Sequence, residues 1–215
     1  MKNLVFLALV LLFACSPEAK VNVIETVERF KVNQFEDSLA ISKLEFKESK
    51  IFNNKDQLIE RHSFDVNGRL KGFEKLTYNN GNADSKYFTS DSMMLSYYEY
   101  HFEHDILLEK KAYDASDSTL VRTEEYNYDE AGNLIEKIIV NSDGMIAQVY
   151  KFAYDKFGNE LGFSVFDSSG KMILIESHRI VELDQKNRWT KKYSERKGIV
   201  RSYYTRKFSK INIGE

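Results

Sequence analysis

Apolar and polar positions alternate along most of this chain, and one kind of turn breaks the alternation at regular intervals. Asp65-Val66-Asn67-Gly68, Asp129-Glu130-Ala131-Gly132, Asn141-Ser142-Asp143-Gly144, Asp155-Lys156-Phe157-Gly158 and Asp167-Ser168-Ser169-Gly170 share one template. Asp or Asn stands first and Gly fourth, as in a type I turn whose first side chain caps the bend and whose glycine takes the left-handed conformation. Looser copies run from Asn53 to Asp56, Asp184 to Asn187 and Glu195 to Gly198; in the first two, Asp or Asn replaces the glycine. Those are the non-glycine residues that best tolerate a positive φ. Two residues after the closing position comes an apolar side chain: Leu58, Leu70, Leu134, Ile146, Met172, Trp189 or Val200. Between turns, Tyr126 and Tyr128 share one face and Ile146, Tyr150, Phe152 and Tyr154 another, the period-two signature of half-buried strands. Gly132, Gly144, Gly158 and Gly170 are spaced by 12, 14 and 12 residues, so two strands and two turns repeat every 26.

Composition supports strands over helices. Proline occurs once, at Pro17, where average usage would give about ten. Proline cannot donate to a β ladder, and aromatic residues, at 13%, favour pleated surfaces. The stretch from Glu18 to about Lys43 is β-prone at Val21 to Val27, whereas Phe30, Gln34 and Phe35 allow a helix. The segments Asp84 to Asp91 and Asp114 to Thr119 read as loops, and no Gly- or Pro-rich linker divides the chain. The expected fold is therefore all-β: an antiparallel meander of repeated hairpins, forming an open, curved sheet or a repeat-type array. One hairpin domain covers 41–215, after a segment 15–40 that forms a tether and then a first strand or short helix.

The N-terminus has a different character. Lys2 is followed by ten apolar residues, Leu4 to Phe13, and then by Ala14-Cys15-Ser16-Pro17. Ten residues rise only about 15 Å as a helix, half of what a bilayer core requires, so residues 1–14 read as a signal peptide. Leu12-Phe13-Ala14-Cys15 resembles the lipobox of bacterial lipoproteins, although Phe13 is larger than that pattern prefers. Cys15 is the only cysteine, so no disulfide accounts for it. The resemblance implies acylation of Cys15, a lipid membrane as partner and an envelope location; Ser16 points to the outer membrane of a Gram-negative host. Plain secretion and a retained anchor are the rival readings.

A second resemblance covers about two thirds of the remaining chain. Tyr126-Asn127-Tyr128-Asp129-Glu130-Ala131-Gly132-Asn133-Leu134 and Tyr154-Asp155-Lys156-Phe157-Gly158-Asn159 look like the YD repeats of RHS-type proteins. Phe64 to Leu70 and Phe166 to Lys171 are degenerate copies. The likeness implies a β-strand scaffold and carries no chemistry with it.

Candidate chemistry is sparse. His101-Phe102-Glu103-His104-Asp105 is the tightest polar cluster, but on a strand the two histidines face opposite sides and no second nitrogen ligand is near. His62 and His178 stand alone and read as surface or cross-strand residues. No nucleophile-elbow, zinc-protease or other catalytic motif occurs, and neither a catalytic residue, a metal nor a cofactor is assigned. Charge is uneven: from Lys186 onward ten Lys or Arg face only Glu195 and Glu215, while the whole chain carries −2. In this basic end Arg188, Trp189, Lys191, Lys192, Tyr193, Arg201, Tyr203, Arg206 and Lys207 interleave cations with aromatic rings. That combination suits an anionic envelope glycan or lipid head group; it equally suits a charged sheet edge that resists aggregation. The expected function is a membrane-anchored, non-catalytic binding or scaffold module for a partner protein or envelope polymer, with no nucleic acid as partner. A glycan-active or metal-dependent hydrolase is the alternative.

Overall fold

The computed structural model describes residues 20–35, 38–79 and 82–213. The signal-peptide and lipobox residues, Cys15 included, lie outside these. Fourteen strands run in chain order: β1 (Lys20–Phe35), β2 (Ser38–Phe52), β3 (Leu58–Phe64), β4 (Leu70–Asn79), β5 (Asn82–Thr89), β6 (Met94–Glu103) and β7 (Ile106–Asp114). They continue with β8 (Leu120–Tyr128), β9 (Leu134–Asn141), β10 (Ile146–Tyr154), β11 (Glu160–Asp167), β12 (Met172–Leu183), β13 (Trp189–Arg196) and β14 (Ile199–Ile213).

Every strand pairs antiparallel with its sequence neighbours, as the meander predicts. The sheet, however, is not open. β14 pairs with β1 from Lys20↔Ile213 to Lys31↔Ser202, closing a 14-stranded up-and-down barrel. Closure removes both free edges, so the basic C-terminal strands are not a protected sheet edge. One loop expectation changes, since β5 occupies most of the Asp84 to Asp91 stretch, while the first-strand alternative for the N-terminal stretch is the one that forms, as β1.

The turns form as the sequence indicates. In the Asp65 turn, Gly68 N–H donates to the Asp65 carbonyl (3.0 Å), and the Asp65 carboxylate accepts from the Asn67 and Arg69 amides (2.8 and 2.9 Å). Asp129, Asp155, Asp167 and Asp184 repeat this double capping. Asp56 and Asn187 take φ +57° in place of glycine. The third loose copy differs. Lys197 and Gly198 both have positive φ and form a two-residue turn between β13 and β14, leaving Glu195 in the strand. His104 and Asp105 make the same kind of turn between β6 and β7, which separates them in role from His101.

Alternation places one residue set inside and the other outside, since directly paired residues share a face. The buried set contains Glu25, Glu74, Ser85, Tyr100, Ala112, Glu124, Val165, Glu176, Lys192, Ser194 and Ser202. The lumen is therefore lined by charges and aromatic rings. Strand direction also sorts the hairpins. The seven that join β1–β2, β3–β4 and so on to β13–β14 share one end, and the other six share the opposite end with both chain termini. The terminal end is called the anchor end below, and the other the distal end.

Candidate functional site

Inside the barrel, charges are matched locally. Glu74 on β4 accepts from Ser85 Oγ (2.5 Å), the Tyr100 hydroxyl (2.6 Å) and Arg61 Nη1 (3.1 Å). Arg61 also faces Glu48 at 3.8 Å. Burial, followed by the Glu74 charge, holds the Tyr100 phenol well above its usual range. Next along the wall, Glu124 accepts from Arg122 Nε (2.9 Å) and the Tyr126 hydroxyl (2.8 Å). Burial disfavours its charge, but these bonds and nearby Lys110 outweigh that and keep Glu124 below the normal carboxylate range. Lys110 itself is held low by burial and lies over the Tyr98 ring at 4.0 Å.

A second cluster lies across the lumen. His178 Nδ1 is 3.1 Å from Glu160 and 3.0 Å from Lys192 Nζ, and its Nε2 is 3.4 Å from Glu176. Arg196 Nε donates to Glu176 (2.6 Å). Burial opposes protonation of His178, yet the bonds to Glu160 and Glu176 outweigh it and raise its pKa. Burial also pushes the Lys192 ammonium down to about 8. Of the two readings of His178, surface or cross-strand, the second holds: its side chain is 4% exposed, meets Glu160 and Lys192 on the flanking strands, and packs against Phe163 and Tyr204. Alternation alone marked it only as one face of a strand.

The remaining histidines stay outside. His62 stands beside Glu60 and sets its ring edge against Phe64 and Phe73. His101 bonds Asn82 (3.0 Å). Among the described residues, no group of three His, Cys, Asp or Glu side chains is placed to hold a metal.

The basic C-terminal residues are not gathered into one surface. Lys192 and Arg206 turn into the lumen, Arg206 forming an ion pair with Glu25 at 2.7 Å. Arg188 and Trp189 sit at the anchor end. Arg188 pairs with Asp184 (2.6 Å) and stacks over Phe208 (3.6 Å), while Trp189 lies against Lys192 and Arg206 (4.7 and 5.1 Å). Lys191, Tyr193 and Tyr203 face outward; Lys191 pairs with Glu182, and the two tyrosine rings are 5.0 Å apart. Arg201 and Lys207 are exposed. Strand parity divides what is contiguous in sequence.

The outer wall carries its own ion pairs around the circumference. Glu28–Lys47, Glu60–Lys75, Glu136–Lys151 and Arg179–Glu195 bridge neighbouring strands at 3.0 to 4.0 Å, and the Tyr113 hydroxyl donates to Glu99 (2.8 Å). A lipid-spanning barrel instead presents an apolar band about 25 Å tall, and a Lys or Arg at its midplane costs about 2–4 kcal/mol.

Two cavities open from the lumen. One of about 260 Å³ borders His178, Glu176 and Lys192. The other, about 990 Å³, is a cup at the anchor-end mouth. No sequence signal marked this cup, because its residues come from five strands, β2, β3, β4, β6 and β7, and the turns beside them, and meet only when the wall curves.

No family model and no curated protein matches this chain. Among solved structures, a porin-like protein from Bacteroides uniformis aligns over 86% of this chain and 97% of its own, with 10% identity and a TM-score of 0.49. The Tc holotoxin pore of Photorhabdus luminescens, carrying a TccC3 mutation, aligns over 74% of this chain at 14% identity and a TM-score of 0.31. A complex of TcdB2, TccC3 and Cdc42 aligns over 83% at 14% and 0.32. This chain spans 9% and 11% of those last two.

Proposed function

We propose that this chain is a membrane-tethered, non-catalytic binding or scaffold module of a bacterial envelope, with its barrel standing beside the bilayer and not within it. The observation that carries the reading is the ring of ion pairs on the outer wall, which a bilayer core would not accept. The N-terminal strand starts at the anchor end, so acylated Cys15 would hold that mouth toward the lipid. The occupied state of the interior charges supports a non-catalytic role. Both nitrogens of His178 are committed to Glu160, Lys192 and Glu176, which leaves neither free to take a proton from a substrate. The partner is a protein or an envelope polymer; Arg201 and Lys207 are among the exposed cations available to an anionic glycan.

Fractionation of the producing cell tests the tether. Full-length protein should carry acyl groups on Cys15 by mass spectrometry and sediment with membranes. Replacing residues 1–15 with an ordinary secretory signal should release a folded barrel that stays monodisperse without detergent. A released chain that still partitions into membranes, or that needs detergent to remain in solution, sinks the reading.

A further inference from the structure

The cup at the anchor end is the least explained feature of the barrel. Its walls are Phe52, Leu58, Leu76, Tyr78, Phe102 and Leu107, all inward-facing, and its rim is polar, with Lys55, Gln57, Asn79 and Asp105. The floor is Arg61 and Tyr100, both bonded to Glu74. An apolar hollow open to water is an unfavourable surface unless something apolar covers it. Its volume of about 990 Å³ is that of a small-molecule site, and barrel mouths are a recurrent place for one. The floor charges are already neutralised by one another, so they call for no charged group from a ligand. Depth decides the ligand further. From Tyr78 at the mouth to Glu74 beside the floor is four strand residues, about 13 Å, which accommodates about ten carbons of an extended chain.

We propose that the cup holds a single acyl chain, inserted tail first, with its polar head at the Lys55–Gln57–Asn79–Asp105 rim. Two sources supply that chemistry. One is a lipid of the tethering membrane, which lies at this end. The other is the acyl group of Cys15 itself: Val23 pairs with Phe52 at the cup wall, and eight residues back to Cys15 reach about 27 Å at most. The proposal rests on the tether reading only for the source of the chain, not for the cup.

The test uses a zwitterionic alkylphosphocholine with a diazirine at its chain end. It is applied to the acylated protein in phosphatidylcholine vesicles and to the secreted chain lacking residues 1–15. Crosslinks in the secreted chain should map to Leu76, Tyr78 and Phe102. Affinity across a series of chain lengths should rise roughly fourfold per methylene and flatten near ten carbons. Labelling of both forms identifies membrane lipid as the source, and labelling of the secreted form alone identifies the Cys15 chain. If Cys15 proves unacylated while the secreted chain still labels, the tether falls and the cup stands. Leu76→Arg, checked for folding by circular dichroism, should abolish labelling; Leu107→Glu in the opposite wall serves the same purpose should Leu76→Arg not fold. Absence of labelling in the cup, or labelling indifferent to a folded variant, overturns the proposal.

Discussion

The two ends of the barrel are built from the same hairpin template yet differ in how they are held. At the anchor end the residue after the turn is Asn133 in β8–β9 and Asn159 in β10–β11, and Asn159 ties its hairpin to β12–β13. Asn159, 5% exposed, donates through Nδ2 to the Asn187 carbonyl (2.8 Å) and accepts from the Trp189 amide (2.9 Å), joining the β10–β11 and β12–β13 turns. Asn133 Oδ1 lies beside Gly158 of the neighbouring turn. At the distal end that position is Arg69, Met145 or Lys171, and the side-chain tie comes from elsewhere: Gln34 Oε1 on β1 accepts from the Val200 amide (3.1 Å). Each of the seven distal hairpins exposes a large apolar side chain, from Leu39 and Val66 through Met145 and Met172 to Ile199, and Ile106, Phe157 and Leu183 do so at the anchor end. The Asp-x-x-Gly turn at Asp155 therefore does more than reverse the chain: with Asn159 behind the Gly it becomes a lateral staple to the β12–β13 hairpin.

Substitutions can break this contrast. Asn159→Ala leaves a buried carbonyl and amide without partners and should lower stability by about 2–3 kcal/mol in urea unfolding. Met172→Ser, on the corresponding rim of the distal end, should stay within about 0.5 kcal/mol; equal losses would erase the distinction. A finer comparison uses one substitution at both ends. Gly158 and Gly170 have φ +79° and +78°, so each change to Ala carries the same left-handed penalty of about 1–2 kcal/mol. A methyl at Gly158 would also meet Asn133 Oδ1 at 3.1 Å, whereas Gly170 faces open space. The anchor-end variant should therefore unfold a few degrees lower.

The smallest expected effect lies between the ends, at His178. Its folded pKa is raised above the ordinary value of 6.5 by Glu160 and Glu176, after burial is overcome. The folded state then binds more protons than the unfolded one above that pH. This stabilisation is complete below pH 6.5 and is lost as pH climbs through the folded pKa. Lys192, depressed by burial to about 8 from 10.5, acts oppositely and restores stability across that upper window. Melting temperature should dip in the mildly alkaline range. His178→Gln should remove the fall and Lys192→Met the recovery; unchanged profiles would show that neither proton is linked to folding.

The hairpins were legible because turn chemistry is local. An Asp side chain reaching its own backbone two and four residues on needs no help from elsewhere, and Asp65, Asp129, Asp155, Asp167 and Asp184 all formed as read. The Glu195 copy misled because Lys197-Gly198 closes a tighter turn that Glu195 does not touch. The lumenal clusters and the cup were not legible, since Glu74 meets Arg61, Ser85 and Tyr100 on four successive strands whose inward face the alternation does not identify.

From its sequence alone this protein is a chain of antiparallel strands whose residues fall into two alternating faces, in an order that the turns dictate. What only the tertiary structure decided is that β14 returns to β1, and which face then becomes the inside. The physical reason is the same for both. Each face carries charges and aromatic rings, so alternation separates the faces without ranking them. The accumulated twist of fourteen strands then closes the wall and puts Glu74, Glu124, Glu176 and Lys192 out of water.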